Sequence, residues 1–200
     1  MRNVFDQYEL PENRLSHALA CTLKYDPSLL RPFLMGLGAA PPVGVKRLEI
    51  VQQRLPGTLD ADACAPDERK GLPDICIHDH DQWAVVIEAK AQARPNVYQL
   101  VRHARTLERR QFLKPHIVLL TLDEVPDGLP RRARVVHWCE VYQWFTRRRS
   151  TSSWARFLTE YLEVFEAKMV AKNYQLRGTL TRFDGFRFTT EDPYSYGQAK

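Results

Sequence analysis

The sequence predicts an α/β fold, a central mixed β-sheet flanked by helices, on three observations. Two hundred residues, 44% hydrophobic and 26% charged, suffice for one large domain with its own core. Segments with apolar residues at helical spacing alternate with short, continuous apolar runs of strand length. Their order is helix, three-strand meander, helix, strand, strand and further helices, an alternation that builds mixed sheets.

The first helix opens at Pro11-Glu12, with proline in the first turn, and carries Leu15, Ala18, Leu19 and Thr22 on one stripe. It fades around Tyr25-Asp26-Pro27, and Leu29 to Leu37 reads as a short second helix. Residues 38–44 form a loop, Val45 to Leu55 a loosely alternating strand, and Pro56 to Gly71 a polar loop. Two stronger strands follow, Asp74 to His78 and Trp83 to Ala89, joined by a hairpin connection through His80. Val97, Leu100, Val101, Ala104 and Leu107 then mark a helix over 96–110 with one buried stripe. His116 to Thr121 and Arg134 to Trp138 read as strands, and Val141 to Arg148 and Trp154 to Lys172 as helices. The main domain is therefore placed at 1–172. The aromatic stretch 173–200 is expected to pack back on it or on a partner.

Composition narrows the setting. No run of 18 apolar residues exists, so no membrane span is expected. The first residues lack the apolar run and small-residue cleavage site of a secretory signal, which points to the cytoplasm. Cys21, Cys64, Cys76 and Cys139 form no CxxC pair and read as free thiols. Residues 91–150 hold twelve basic and five acidic side chains, a local +7, whereas the remainder sums to −2. A basic block beside an acidic centre suits a polyanion held against cations.

The chemistry concentrates at Glu88 and Lys90. Alternation along a strand puts both on one face and Ala89 on the other. Unpaired charges are costly to bury, so both are expected at an open sheet edge or cleft. If the preceding hairpin turns about His80, paired residue numbers sum to 160–162, which sets Asp74 near Glu88. Two carboxylates can then converge on one hard dication such as Mg²⁺, with Mn²⁺ substituting.

Leu72-Pro73-Asp74 followed by Glu88-Ala89-Lys90 resembles the Pro-Asp … Glu-x-Lys signature of the PD-(D/E)XK nucleases, a match covering about residues 8–122. The resemblance implies a restriction-endonuclease-like core and Mg²⁺-dependent hydrolysis of phosphodiester bonds, in DNA more than RNA. It assigns metal binding to Asp74, Glu88 and the Ala89 carbonyl, and a catalytic charge to Lys90. Glu12 fits the acidic position that such nucleases often carry on the first core helix, although it equally suits the helix dipole. Tyr98-Gln99 fits a position on the following helix, and Gln99, Arg102 and Arg105 are the expected substrate contacts. By analogy the setting is a defence or restriction effector, as a homodimer or within a larger defence complex. The rival from another class is a non-catalytic nucleic-acid-binding or scaffold subunit of the same fold. A competing zinc reading joins Cys76, His78 and His80, with Cys64 as a further ligand, but lacks a second ligand pair.

Overall fold

The computed structural model describes residues 5, 10–53, 72–80, 82–91, 94–112, 115–122, 127–130 and 132–174. The elements among them are α1 (Pro11–Tyr25), α2 (Pro27–Gly36), β1 (Glu49–Gln52), β2 (Ile75–His78), β3 (Ala84–Ala89), α3 (Val97–Arg109), β4 (His116–Thr121), β5 (Ala133–His137), α4 (Trp138–Thr146) and α5 (Ser153–Tyr174). The polar loop expected at 56–71 and the aromatic tail beyond Tyr174 lie outside the described residues.

The five strands make one open mixed sheet in sequence order. β1–β2 and β2–β3 are antiparallel, while β3–β4 and β4–β5 are parallel. The parallel step from β3 to β4 is spanned by α3, because two parallel strands need a crossover. In the β2–β3 hairpin Ile75 pairs with Ile87 and Cys76 with Val86, sums of 162, as the turn about His80 predicts. His80 takes a left-handed backbone, φ 72°. Asp79 Oδ1 accepts the N–H groups of Gln82 and Trp83, both at 3.0 Å, and closes the turn.

Alternation divides the sheet into two faces. Ile75, Ile77, Val85, Ile87, Val118 and Leu120 share a core with α1, α2, α4 and α5. Cys76, Val86, Ile117 and Leu119 pack beneath Leu100 and Leu107 of α3, with Phe112. The central strands are covered on both sides, which explains their nearly continuous apolar runs. Each fully buried Leu, Ile or Val side chain contributes about 1.5–3 kcal/mol of transfer free energy.

Three sequence expectations shift. β1 spans four residues rather than the eleven expected from Val45 to Leu55. It is an edge strand whose ladder matches the four residues of β2, and Gln53, at φ 47°, turns the chain out of the sheet. The strand expected over Arg134 to Trp138 stops at His137, and α4 begins at Trp138 instead of Val141. Glu140 Oε2 accepts the His137 N–H at 2.8 Å, so an acid in the first turn starts the helix directly at the strand end. Glu88 is not at an open edge: β3 is the middle strand and Glu88 is 2% exposed. Its charge is matched inside the fold, as described next.

Candidate active site at the β2–β3 hairpin end

The register sets Asp74, one residue before β2, across from Glu88 in the last turn of the β3 ladder. Asp74 Oδ2 accepts the Ala89 N–H at 2.7 Å, which ties the carboxyl to the motif strand. Beyond β3, the Lys90 N–H donates to Leu120 O at 2.7 Å and extends the parallel ladder. Trp138 Nε1, from the first residue of α4, donates to Lys90 O at 3.2 Å. The backbone from Ala89 to Lys90 is thus fixed by a side chain of the hairpin, by β4 and by α4.

Glu88 has both carboxylate oxygens engaged. Lys90 Nζ lies 2.7 Å from Oε1, as expected for residues two apart on one strand face. His103 Nε2 lies 3.0 Å from Oε2, with His103 wholly buried under α3. Burial opposes the Glu88 charge, but the His103 hydrogen bond and Lys90 outweigh it and hold the carboxyl below its ordinary range. To donate there, His103 carries its proton on Nε2. Its Nδ1 is buried with no hydrogen-bond partner among the described residues.

Asp74 behaves oppositely. Burial first, then the charge of Glu88, push it up to about 7, against the Ala89 N–H and Lys90; Glu12 adds to the rise. Glu12, half-buried in the first turn of α1, therefore senses Asp74 electrostatically. The carboxylates that repel here are hard oxygen donors, the donor class that hard dications take, and a dication would relieve that repulsion. Glu12 is drawn in less tightly. Among the described residues, the group of three whose ligand atoms all lie within 4.8 Å of one another is Glu49, His78 and His80, not the three acids.

Helix α3 presents two different faces. Leu100, His103 and Leu107 are buried against the sheet, and Asn96 caps the helix by accepting the Tyr98 N–H at 3.0 Å. Arg102 and Arg105 are exposed. At about 100° per residue, Arg105 lies roughly 200° around the helix from His103, on the outer side. With Arg94, Arg109 and the 86% exposed Tyr98, these arginines line a groove on that side. Gln99, in the first turn of the same helix, is half-buried.

His103 is the residue of this cluster that the sequence analysis did not single out. Its position in the buried stripe, between Leu100 and Leu107, is the signal that sets it apart. The arginines after α4 are partly committed elsewhere: Arg148 Nη1 donates to Trp144 O at 2.9 Å, and its guanidinium lies 3.6 Å from the Trp144 ring centroid. Cys21, Cys76 and Cys139 are free thiols, and burial pushes Cys76 up to about 12, which makes it an inert core residue. No helix among the described residues is long and apolar enough to cross a membrane. Compared with protein-family models, with curated proteins and with solved structures, the chain finds no match in any of the three.

Proposed function

We propose that the chain is a metal-dependent nuclease of the PD-(D/E)XK type, hydrolysing phosphodiester bonds in DNA by preference. The observation that carries this reading is the meeting of Asp74, Glu88 and Lys90 at one end of a central antiparallel hairpin. The order of α1, the three-strand meander, α3 and β4 supports a restriction-endonuclease-like core. Asp74, Glu88 and the Ala89 carbonyl are the groups that would hold the cation, with Glu12 as a further acid that Asp74 senses. When bound, the dication supplies Lewis acidity toward a phosphate oxygen and toward water.

The chain's own residues do the rest. Lys90, 14% exposed and fixed through its backbone, keeps a positive charge where the phosphate gains negative charge in the transition state. His103 holds one oxygen of Glu88 and so orients the other toward Lys90. Arg102 and Arg105 attract the phosphate backbone on the outer side of α3.

A second reading has its own observation. Both Glu88 oxygens are already engaged by Lys90 and His103, and the arginine groove lies on the other side of α3. That arrangement suits a non-catalytic nucleic-acid-binding subunit. Incubating the chain with plasmid, single-stranded DNA and single-stranded RNA, each with Mg²⁺, Mn²⁺ or EDTA, separates the two. A nuclease degrades DNA only with the metal. A scaffold binds equally in EDTA and cleaves nothing.

A further inference from the structure

We propose that Glu49, His78 and His80 form a second metal site, for a borderline transition-metal dication of the Zn²⁺ class, that clasps edge strand β1 to the β2–β3 turn. The site lies at the far end of β2 from Asp74, four residues and about 13 Å along the strand. It does not rest on the nuclease reading.

The backbone brings the three together. Glu49 and His78 are direct partners across the β1–β2 ladder. His80 follows two residues later, and its left-handed φ of 72° turns it back toward them. His80 Nε2 lies 2.7 Å from Glu49 Oε2, and the His78 and His80 ring centroids are 4.7 Å apart at 79°. One ligand atom from each residue lies within 4.8 Å of the others. Zinc bonds of about 2.0–2.1 Å in a tetrahedron place ligand atoms about 3.3 Å apart. His80 Nε2 and Glu49 Oε2 are closer than that and no ligand atom of the three is more than 4.8 Å from another, so side-chain rotations close the site.

His78 supplies a separate observation. It is 2% exposed, and its Nε2 has no hydrogen-bond partner among the described residues. Its Nδ1 accepts the His80 N–H at 3.2 Å, a long contact, so one lone pair of the ring already faces the turn that carries His80. That lone pair is held by one long contact, which a cation would replace, while Nε2 keeps the ring proton.

Donor chemistry selects the metal. Two imidazoles and one carboxylate suit Zn²⁺ and its neighbours rather than Mg²⁺. Three protein ligands leave a position for water. Without a cation, the half-exposed His80–Glu49 pair contributes little. Among the described residues the cysteine-based alternative is not assembled: Cys76 is sealed beneath α3 and is not in the group, and Cys64 lies outside the described residues.

The test titrates the full chain with Zn²⁺ by calorimetry and with Co²⁺ by visible absorption, in excess Mg²⁺ so that oxygen-donor sites are filled. One Zn²⁺ per chain is expected, with a Co²⁺ spectrum free of thiolate charge transfer. His78→Ala alters a buried residue, so the exposed Glu49→Gln and His80→Ala carry the test. Each is expected to retain the wild-type circular dichroism spectrum and to weaken Zn²⁺ binding about tenfold or more. Absence of Zn²⁺ binding to the wild type overturns the proposal. Wild-type affinity in either folded variant does the same. So does zinc binding that survives both variants but is lost in Cys21→Ser, since His17 and Cys21 are themselves adjacent.

Discussion

Asp74 and His103 affect stability in opposite directions: one is a carboxyl that burial and Glu88 disfavour as an anion, the other a buried donor to Glu88. The folded carboxyl of Asp74 titrates at about 7, well above the roughly 3.9 of an unfolded aspartate. A carboxyl raised in this way favours the fold fully below the unfolded value, and that contribution is lost as pH rises through the folded one. In EDTA, Asp74→Asn is therefore expected to be more stable than wild type at pH 8, by roughly 1–3 kcal/mol, and to converge with it near pH 4. Urea unfolding at the two pH values reads this directly, and equal stability at pH 8 contradicts it. His103 contacts Glu88, and on the proposed function it positions that carboxylate rather than touching substrate. His103→Ala leaves a buried carboxylate oxygen without its donor, at a cost of about 1.5–3 kcal/mol. The same change is expected to slow cleavage and raise the Mg²⁺ needed for half-maximal rate, with His103→Gln restoring part of both. A purely structural role for His103 lowers stability but leaves the Mg²⁺ requirement of the folded fraction unchanged.

At the scale of elements, the helix ends decide how the layer behind the sheet is joined. Asp26 sits between α1 and α2; its Oδ1 accepts the Ser28 N–H at 3.2 Å, and its Oδ2 accepts from the Ser152 hydroxyl. Ser152 Oγ in turn accepts the Ala155 N–H at 3.0 Å at the start of α5. One carboxylate thus serves two helix N-termini separated by most of the chain. Asp26→Ala is expected to cost about 1–2 kcal/mol in urea unfolding. Adding Ser152→Ala is expected to cost less than the sum, because the two share a network. Helix α3 divides its labour differently, with His103 inward and arginines outward. Reversing Arg102 and Arg105 to Glu is expected to weaken DNA binding and lower the salt slope by about two, without altering the metal requirement. A salt slope equal to that of the wild type would place the polyanion on another surface.

Across the whole molecule, what was legible in the sequence was local. Strong periodicity located α1, α3 and β4, and the parity of one hairpin was enough to pair Asp74 with Glu88. Long-range placement was not legible. Nothing in a linear pattern shows that Glu88 lies in the middle strand, that His103 reaches down to it, or that Glu49 stands opposite His78 across the β1–β2 ladder. The ends of β1 and β5 were overrun for the same reason: strand length is set by the neighbour's ladder and by caps such as Glu140, not by the residue's own preference. The site is likewise a whole-fold property, since β2, β3, β4, α3 and α4 each fix one part of it. Lys90 offers the most direct test of the proposed function, because its side chain is partly open to solvent and its removal leaves the backbone anchors in place. The decisive measurement compares wild type and Lys90→Ala on plasmid DNA with Mg²⁺, scoring both binding and cleavage. The account predicts Mg²⁺-dependent cleavage by the wild type, and a folded variant that binds DNA comparably but cleaves about 100-fold or more slowly. Cleavage by Lys90→Ala at the wild-type rate, or no metal-dependent cleavage by the wild type, contradicts it.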